Sequence, residues 1–314
     1  MKTHNDLSKF NATNPVVTVG TFDGVHLGHR VVIERLKEYA KIYGGETVIF
    51  TFHPHPRIIT SPGETNLRLL TTLEEKKQLF ANLGIGHLVV FPFTKEFSKL
   101  TYSEFVKQIL VAKMKTHCLV VGYDHKFGKS REGGFEHLQQ CAENFNFKIE
   151  KLEPLMLNDV YINSTQIRQA LQEGNIETAN QYLGYRFTLN GKVVEGRRVG
   201  RKMGFPTANI EASDVNKLIP KHGVYAVNIK VNGKIFDGML NIGTCPTFNQ
   251  NADNRSIEVN IFDFEDDVYN KEITLFFAGK IRNEQKFNNA AALTEQLKKD
   301  KVAAIEMLGQ RIKI

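Results

Sequence analysis

With 41% hydrophobic residues among 314, the chain carries enough apolar side chains for two ordinary cores and is long for one. No apolar run nears the roughly 20 residues of a membrane helix, and Met1 to Asn14 has no apolar segment suited to a secretory signal, so a soluble cytoplasmic protein is expected. The net charge of +7 is spread along the chain and mixed with acids, which argues against a nucleic-acid arm or a membrane surface.

In chain order, Val16 to Gly20 reads as a short β-branched strand, Val31 to Tyr43 has helical apolar spacing, and Thr47 to Phe52 is a second strand. Two further apolar strands, His87 to Phe91 and Cys118 to Gly122, enclose a helical pattern from Ser103 to Met114. Strands alternating with helices predict a parallel, doubly wound sheet, whose ligands bind beyond the carboxyl ends of the strands. The loops after Val19, Phe52 and Val121 are therefore the candidate sites. From Tyr185 the rhythm changes: strands at Phe187 to Val194, Val224 to Val231, Lys234 to Leu240, Ser256 to Phe264 and Glu272 to Ile281 predict a small antiparallel barrel. Asn232-Gly233 is a two-residue type I′ hairpin signal. A closing helix carries Leu293, Leu297, Ile305 and Leu308 as its apolar stripe. The fold class is α/β followed by β, with a boundary near Gly184 (residues 1–184 and 185–314). Cys118, Cys141 and Cys245 are too scattered for a zinc or redox motif and read as reduced thiols.

The run from Gly20 to His29, GTFDGVHLGH, joins the first strand to the first helix. His26 and His29 at a helix N-terminus place imidazoles and backbone N–H groups where a polyphosphate docks, and Gly28 permits close approach. Ser164, Thr165 and Arg168 open a later helical pattern, with a hydroxyl at the N-cap and a guanidinium one turn on. In the second half, Gly200 to Asn209 (GRKMGFPTAN) combines glycines and basic residues that wrap a triphosphate with the hard oxygens of Thr207 and Asn209, suited to Mg²⁺.

Taken together, these motifs resemble the bacterial bifunctional riboflavin kinase/FAD synthetase family. The first is the signature of nucleotidyltransferases, and Phe52 to Pro56 and Gly122 to Gly128 follow in the order of the FAD synthetase module. Gly200 to Asn209 is similar to the riboflavin kinase motif, followed in family order by Gly223 to Ala226, Asn241 to Thr244 and Ser256 to Asn260. The resemblance implies ATP-dependent phosphorylation of riboflavin to FMN and adenylylation of FMN to FAD, with Mg²⁺ and ATP used by each domain. It implies that His26, His29 and Arg168 act in adenylyl transfer and Glu258 as the kinase base. Nucleotide contacts fall to Gly20, Thr21, Phe22, Gly24, Gly28, Ser164 and Thr165 in one domain, and to Gly200, Lys202 and Gly204 in the other. Flavin contacts fall to His55, Asp124, Phe127 and Arg282, and the metal to Thr207 and Asn209. The chain departs from the family pattern at His53, His125, Asn163, Cys245, Asn260 and Asn288. Partners are small molecules, with no nucleic acid or membrane. Two alternatives stay open: an FAD synthetase whose barrel has lost turnover, and a flavin-binding regulator.

Overall fold

The computed structural model describes residues 1–61, 67–122, 128, 132–153, 156–157, 160–196, 204–244 and 255–309. Packing divides the chain into two units, Met1–Asn163 and Ser164–Ile314.

The first unit alternates strand and helix: β1 (Lys2–His4), β2 (Val16–Val19), α1 (Leu27–Ile42), β3 (Thr47–His53), α2 (Pro56–Thr60), α3 (Leu73–Asn82), β4 (His87–Pro92), α4 (Tyr102–Phe105), β5 (Cys118–Val121), α5 (Phe135–Phe145) and β6 (Lys148–Lys151). A small antiparallel pair follows, β7 (Met156–Leu157) and β8 (Val160–Tyr161). The six-stranded sheet runs β1-β4-β3-β2-β5-β6 with every pairing parallel. Alternation along the strands sends Val17, Val19, Phe50, Leu119 and Val121 to one apolar core and Val16, Ile49, Leu88, Cys118 and Val120 to the other. Both faces are thus covered, as a parallel sheet requires. The chain leaves β2 toward β3 on one side and later returns to β5 on the other. The carboxyl ends of β2 and β5 therefore flank the topological switch point where ligands of such sheets bind.

Three features differ from the sequence expectation. The polar N-terminus forms β1, an edge strand beside β4. Helix α1 starts at Leu27, before the apolar pattern sets in, and α4 passes after one turn into a π-helical stretch, Val106–Val111. Cys118 and Cys141 are free and buried, and burial pushes the Cys118 thiol up to about 12; Cys245 lies outside the described residues.

The second unit opens with α6 (Ser164–Glu173) and α7 (Ile176–Leu183). Then come β9 (Thr188–Val194), β10 (Ala208–Ala212), β11 (Gly223–Val231), β12 (Lys234–Thr244), β13 (Arg255–Ile261), β14 (Glu272–Arg282) and α8 (Ala290–Gly309). The strands close into a barrel in the order β10-β13-β12-β11-β14-β9. Asn232 and Gly233 both have positive φ, 51° and 78°, the type I′ turn read from the sequence. Asn180 of α7 pins this helix to the barrel: its Nδ2 donates to the Phe277 carbonyl at 2.9 Å and its Oδ1 accepts from Phe187 N at 2.7 Å. On α8, Leu308 is buried and Leu297 packs against the same core as expected, but Ile305 is 49% exposed, and Ala304 and the charged Asp300 are buried. β13 ends at Ile261, short of the expected Phe264.

Candidate active sites

The loop between β2 and α1 takes a conformation few side chains tolerate, with φ of 48° at Phe22, 87° at Gly24 and 38° at Val25. It is held from both ends. Gly20 N donates to the Phe50 carbonyl at 3.0 Å. The buried Asp23 carboxylate accepts from Leu70 N and Thr71 N at 3.0–3.1 Å, and Gly24 N donates to Thr71 Oγ1 at 3.0 Å. The Thr21 carbonyl accepts from the buried Lys76 ammonium at 2.7 Å. Burial lowers the Lys76 pKa, and the Asp23 carboxylate opposes that shift.

His26 stands at the N-cap of α1, and its ring stacks on His29 with centroids 3.6 Å apart. A side chain at Gly28 would come within 3.2 Å of the His26 ring, so this glycine makes room for the histidine pair. The edge of His29 meets Phe22 at 5.1 Å. Burial, then His26 and Lys76, hold the His29 pKa well below its usual value, so the ring is neutral at neutral pH. His29 Nδ1 is buried and makes no hydrogen bond among the described residues. The helix N-terminus beside this neutral imidazole offers backbone N–H groups and a dipole that favour an anion without a full charge on the histidine.

Around this loop, His55 caps α2, its Nδ1 accepting from Arg57 N at 3.2 Å. Ser164 is the first residue of α6, and Thr165 and Arg168 lie in the same opening turns, within the second unit. Asp124 and Phe127 lie outside the described residues, as do Gly200 and Lys202 of the second motif.

In the barrel, β10 and β13 pair Asn209 with Glu258, and β12 places Asn241 on Glu258's other side. Thr207 Oγ1 donates to Glu258 Oε2 at 3.3 Å. Both residues line a cavity of about 330 Å³ whose apolar walls include Phe205, Met239 and Leu297 and whose polar walls include Asn241, Glu284 and Gln285. Asn260 secures the motif from below, its Nδ2 donating to the Pro206 carbonyl at 2.7 Å, and Gly204 turns the chain with a φ of 76°. Gly196 lies so close to Asn209 that a Cβ there would overlap the Asn209 carboxamide. Arg282 lines the same cavity. A carboxylate hydrogen-bonded to a hydroxyl in a cavity of mixed polar and apolar walls is an arrangement that can accept a proton from an alcohol.

The family profile of FAD synthetase matches residues 8–166 and that of riboflavin kinase residues 183–308. The bifunctional riboflavin kinase/FMN adenylyltransferase of Listeria monocytogenes is 41% identical over 287 residues, covering 91% of this chain and 90% of the relative. That of Bacillus subtilis is 38% identical over 300 residues, covering 95% and 94%. The chain belongs to the bifunctional riboflavin kinase/FMN adenylyltransferase family. It is a transferase with both family domains present. The fold also matches the crystal structure of a macrolide-efflux protein from Streptococcus pneumoniae, with a TM-score of 0.87 and 28% identity over 96% of this chain and 97% of that one. Among the described residues, no helix is long and apolar enough to cross a membrane.

Two groups of residues escaped the sequence reading. Asp23, Thr71 and Lys76 clamp the nucleotidyltransferase loop, and the Thr72–Glu75 capping box that starts α3 was the available signal for that helix. Asp300 and Gln296 sit behind Arg282 in the kinase barrel, where the signal was a carboxylate in register with the apolar stripe of α8.

Proposed function

We propose that the barrel phosphorylates riboflavin with ATP and that the α/β unit transfers AMP from ATP to the resulting FMN, giving FAD and pyrophosphate. The observation that carries the kinase half is the Thr207 and Glu258 pair, 3.3 Å apart, in a cavity whose walls combine apolar side chains with Asn241, Asn260, Arg282, Glu284 and Gln285. Glu258 accepts the proton of the riboflavin hydroxyl as its oxygen attacks the terminal phosphate of ATP. Thr207 directs its hydroxyl hydrogen to Glu258, which leaves its oxygen lone pairs free to face a cation. With the Asn209 carboxamide it forms a hard-oxygen set that fits Mg²⁺, an ion that keeps water and phosphate oxygens as most of its ligands. When bound, Mg²⁺ supplies charge neutralisation at the phosphates.

For adenylyl transfer no general base is needed, because the attacking FMN phosphate is already an anion. Alignment and stabilisation of departing pyrophosphate suffice. His26, His29 and the first turn of α1 serve that purpose, and Ser164, Thr165 and Arg168 are assigned to phosphate handling by motif. His55, Asp124, Phe127 and Arg282 are assigned to the flavin, and Gly20, Thr21, Phe22, Gly24 and Gly28, with Gly200, Lys202 and Gly204, to nucleotides. In this reading the functional boundary falls at Gly184, and the protein is a cytoplasmic enzyme of small molecules. Chromatography of flavins after incubation with ATP, Mg²⁺ and either riboflavin or FMN tests it. FAD from both substrates is expected. FAD from FMN alone would leave a monofunctional synthetase, and no FAD from either would overturn the assignment.

A further inference from the structure

Arg282 reaches the cavity from the end of β14, but its charge is already engaged. Its Nε donates to Asp300 Oδ1 and Oδ2 at 2.9 and 3.1 Å, and its Nη2 donates to Asp300 Oδ2 at 2.8 Å. Nη1 donates to the Asn283 carbonyl at 3.0 Å. Asp300 is 1% exposed, and Gln296, one turn earlier on α8, donates from Nε2 to Asp300 Oδ1 at 2.9 Å. A buried carboxylate is costly unless its charge and lone pairs are met, and here a forked guanidinium and an amide meet them. The Phe287 ring lies 5.6 Å from the guanidinium carbon. The helix that carries Asp300 also supplies Leu293 and Leu297 to the cavity wall.

We propose that Asp300 is a positioning residue of the flavin pocket, acting through Arg282, and that it sets the pocket's preference for an uncharged ring. The inference rests on the kinase reading above. An uncompensated guanidinium in a partly apolar cavity recruits an anion. One neutralised by a buried carboxylate offers instead a rigid plane and the remaining N–H groups of Nη1 and Nη2, which suit the carbonyl and nitrogen acceptors of a neutral heteroaromatic ring. The ring end of riboflavin is then held at Arg282 and Phe287, and its hydroxyl end is left for Glu258. Gln296 assists by fixing the Asp300 carboxylate in the plane of the fork.

Steady-state FMN formation by the full chain tests this, with riboflavin varied at saturating ATP and with adenylylation of supplied FMN as the control. Losing a charge-assisted hydrogen bond that orients Arg282 should raise the riboflavin KM of Asp300→Asn by about tenfold or more. Its kcat should stay within about threefold of wild type, and the control should be unchanged. In an Arg282→Met background, the same Asp300→Asn change should alter KM by less than about twofold, because the residue through which it acts is gone. Additive effects in that cycle, an unchanged KM, or a fall in kcat alone would overturn the proposal. Should Asp300→Asn fail to fold, Gln296→Leu replaces it, and an unchanged riboflavin KM in that variant is equally fatal. A wild-type chain that makes no FMN overturns the kinase reading together with this one, whereas a normal wild type with an indifferent Asp300→Asn overturns this inference alone.

Discussion

His29 combines three influences against protonation: burial, the stacked His26 ring and the Lys76 ammonium. A ring kept neutral donates one hydrogen bond to developing charge without attracting a counter-ion in the resting site, so its removal acts on the transition state. His29→Ala should lower FAD formation from FMN by about 10² or more while riboflavin phosphorylation persists; an unchanged rate of FAD synthesis would refute the role. The same depressed pKa makes stability depend on pH. The unfolded chain takes up this proton near 6.5 and the folded chain only well below it. Stability present above pH 6.5 is therefore lost progressively as pH falls from there toward the folded pKa. Between about pH 6.5 and 5, the denaturant midpoint should fall less in His29→Ala than in wild type, and equal slopes would show that His29 does not set this dependence. The placement of His26 and His29 at a helix N-terminus was legible in the sequence because strand, turn and helix are consecutive there. Lys76 was not, because its partner, the Thr21 carbonyl, lies 55 residues away and only the packing of α3 brings it there. Asp300 was hidden for the same reason, 18 residues from Arg282 and inside a stripe read as apolar.

Secondary-structure elements were readable where a local signal matched the final environment. The buried strands β2 to β5 announced themselves as β-branched and apolar runs, and Asn232-Gly233 fixed its hairpin because both residues accept positive φ. β1 was missed because an edge strand of Lys2, Thr3 and His4 carries no apolar alternation; it is held by pairing with β4. In the stripe of α8, Leu297 and Leu308 hold, but Ala304 packs against the barrel where Ile305, next to it, looked the better core residue. The segment before β10 shows how an element can matter through what it lacks. Gly196 lets the chain pass against the Asn209 carboxamide at the level of Glu258, and any side chain there must displace it. Gly196→Ala is therefore expected to reduce FMN formation by about tenfold or more and to leave adenylylation of supplied FMN at the wild-type rate. Raising Mg²⁺ should recover part of the loss if the displaced group is a metal ligand, and full kinase activity in Gly196→Ala would show that Asn209 tolerates the shift.

At the scale of the whole molecule, the FAD synthetase and riboflavin kinase profiles match residues 8–166 and 183–308, while packing puts Ser164, Thr165 and Arg168, proposed for adenylyl transfer, in the unit that also holds the barrel. The order of the two modules was legible because the hydrophobic rhythm changes from alternating strand and helix to successive strands. The barrel was legible too, as a run of successive strands, but β10 was not among the expected strands, because only a short ladder around Asn209 and Glu258 joins it to β13. If the two reactions use separate site residues, a lesion at the barrel's Glu258 should spare adenylylation. Glu258→Gln keeps shape and polarity but removes the proton acceptor, so FMN formation should fall by about 10² to 10⁴ while supplied FMN is still adenylylated. The stronger form of the argument uses two damaged proteins at once. Glu258→Gln cannot make FMN and His29→Ala makes little FAD, so neither alone should carry riboflavin efficiently to FAD. Mixed in equal amounts with riboflavin, ATP and Mg²⁺, they should restore FAD formation, because FMN released by the intact barrel of one reaches the intact transferase of the other. Recovery that depends on free FMN should show a lag and should shorten as protein concentration rises. Failure of the mixture, with each variant folded and each retaining its spared activity on supplied substrate, would mean that FMN does not leave the chain that made it.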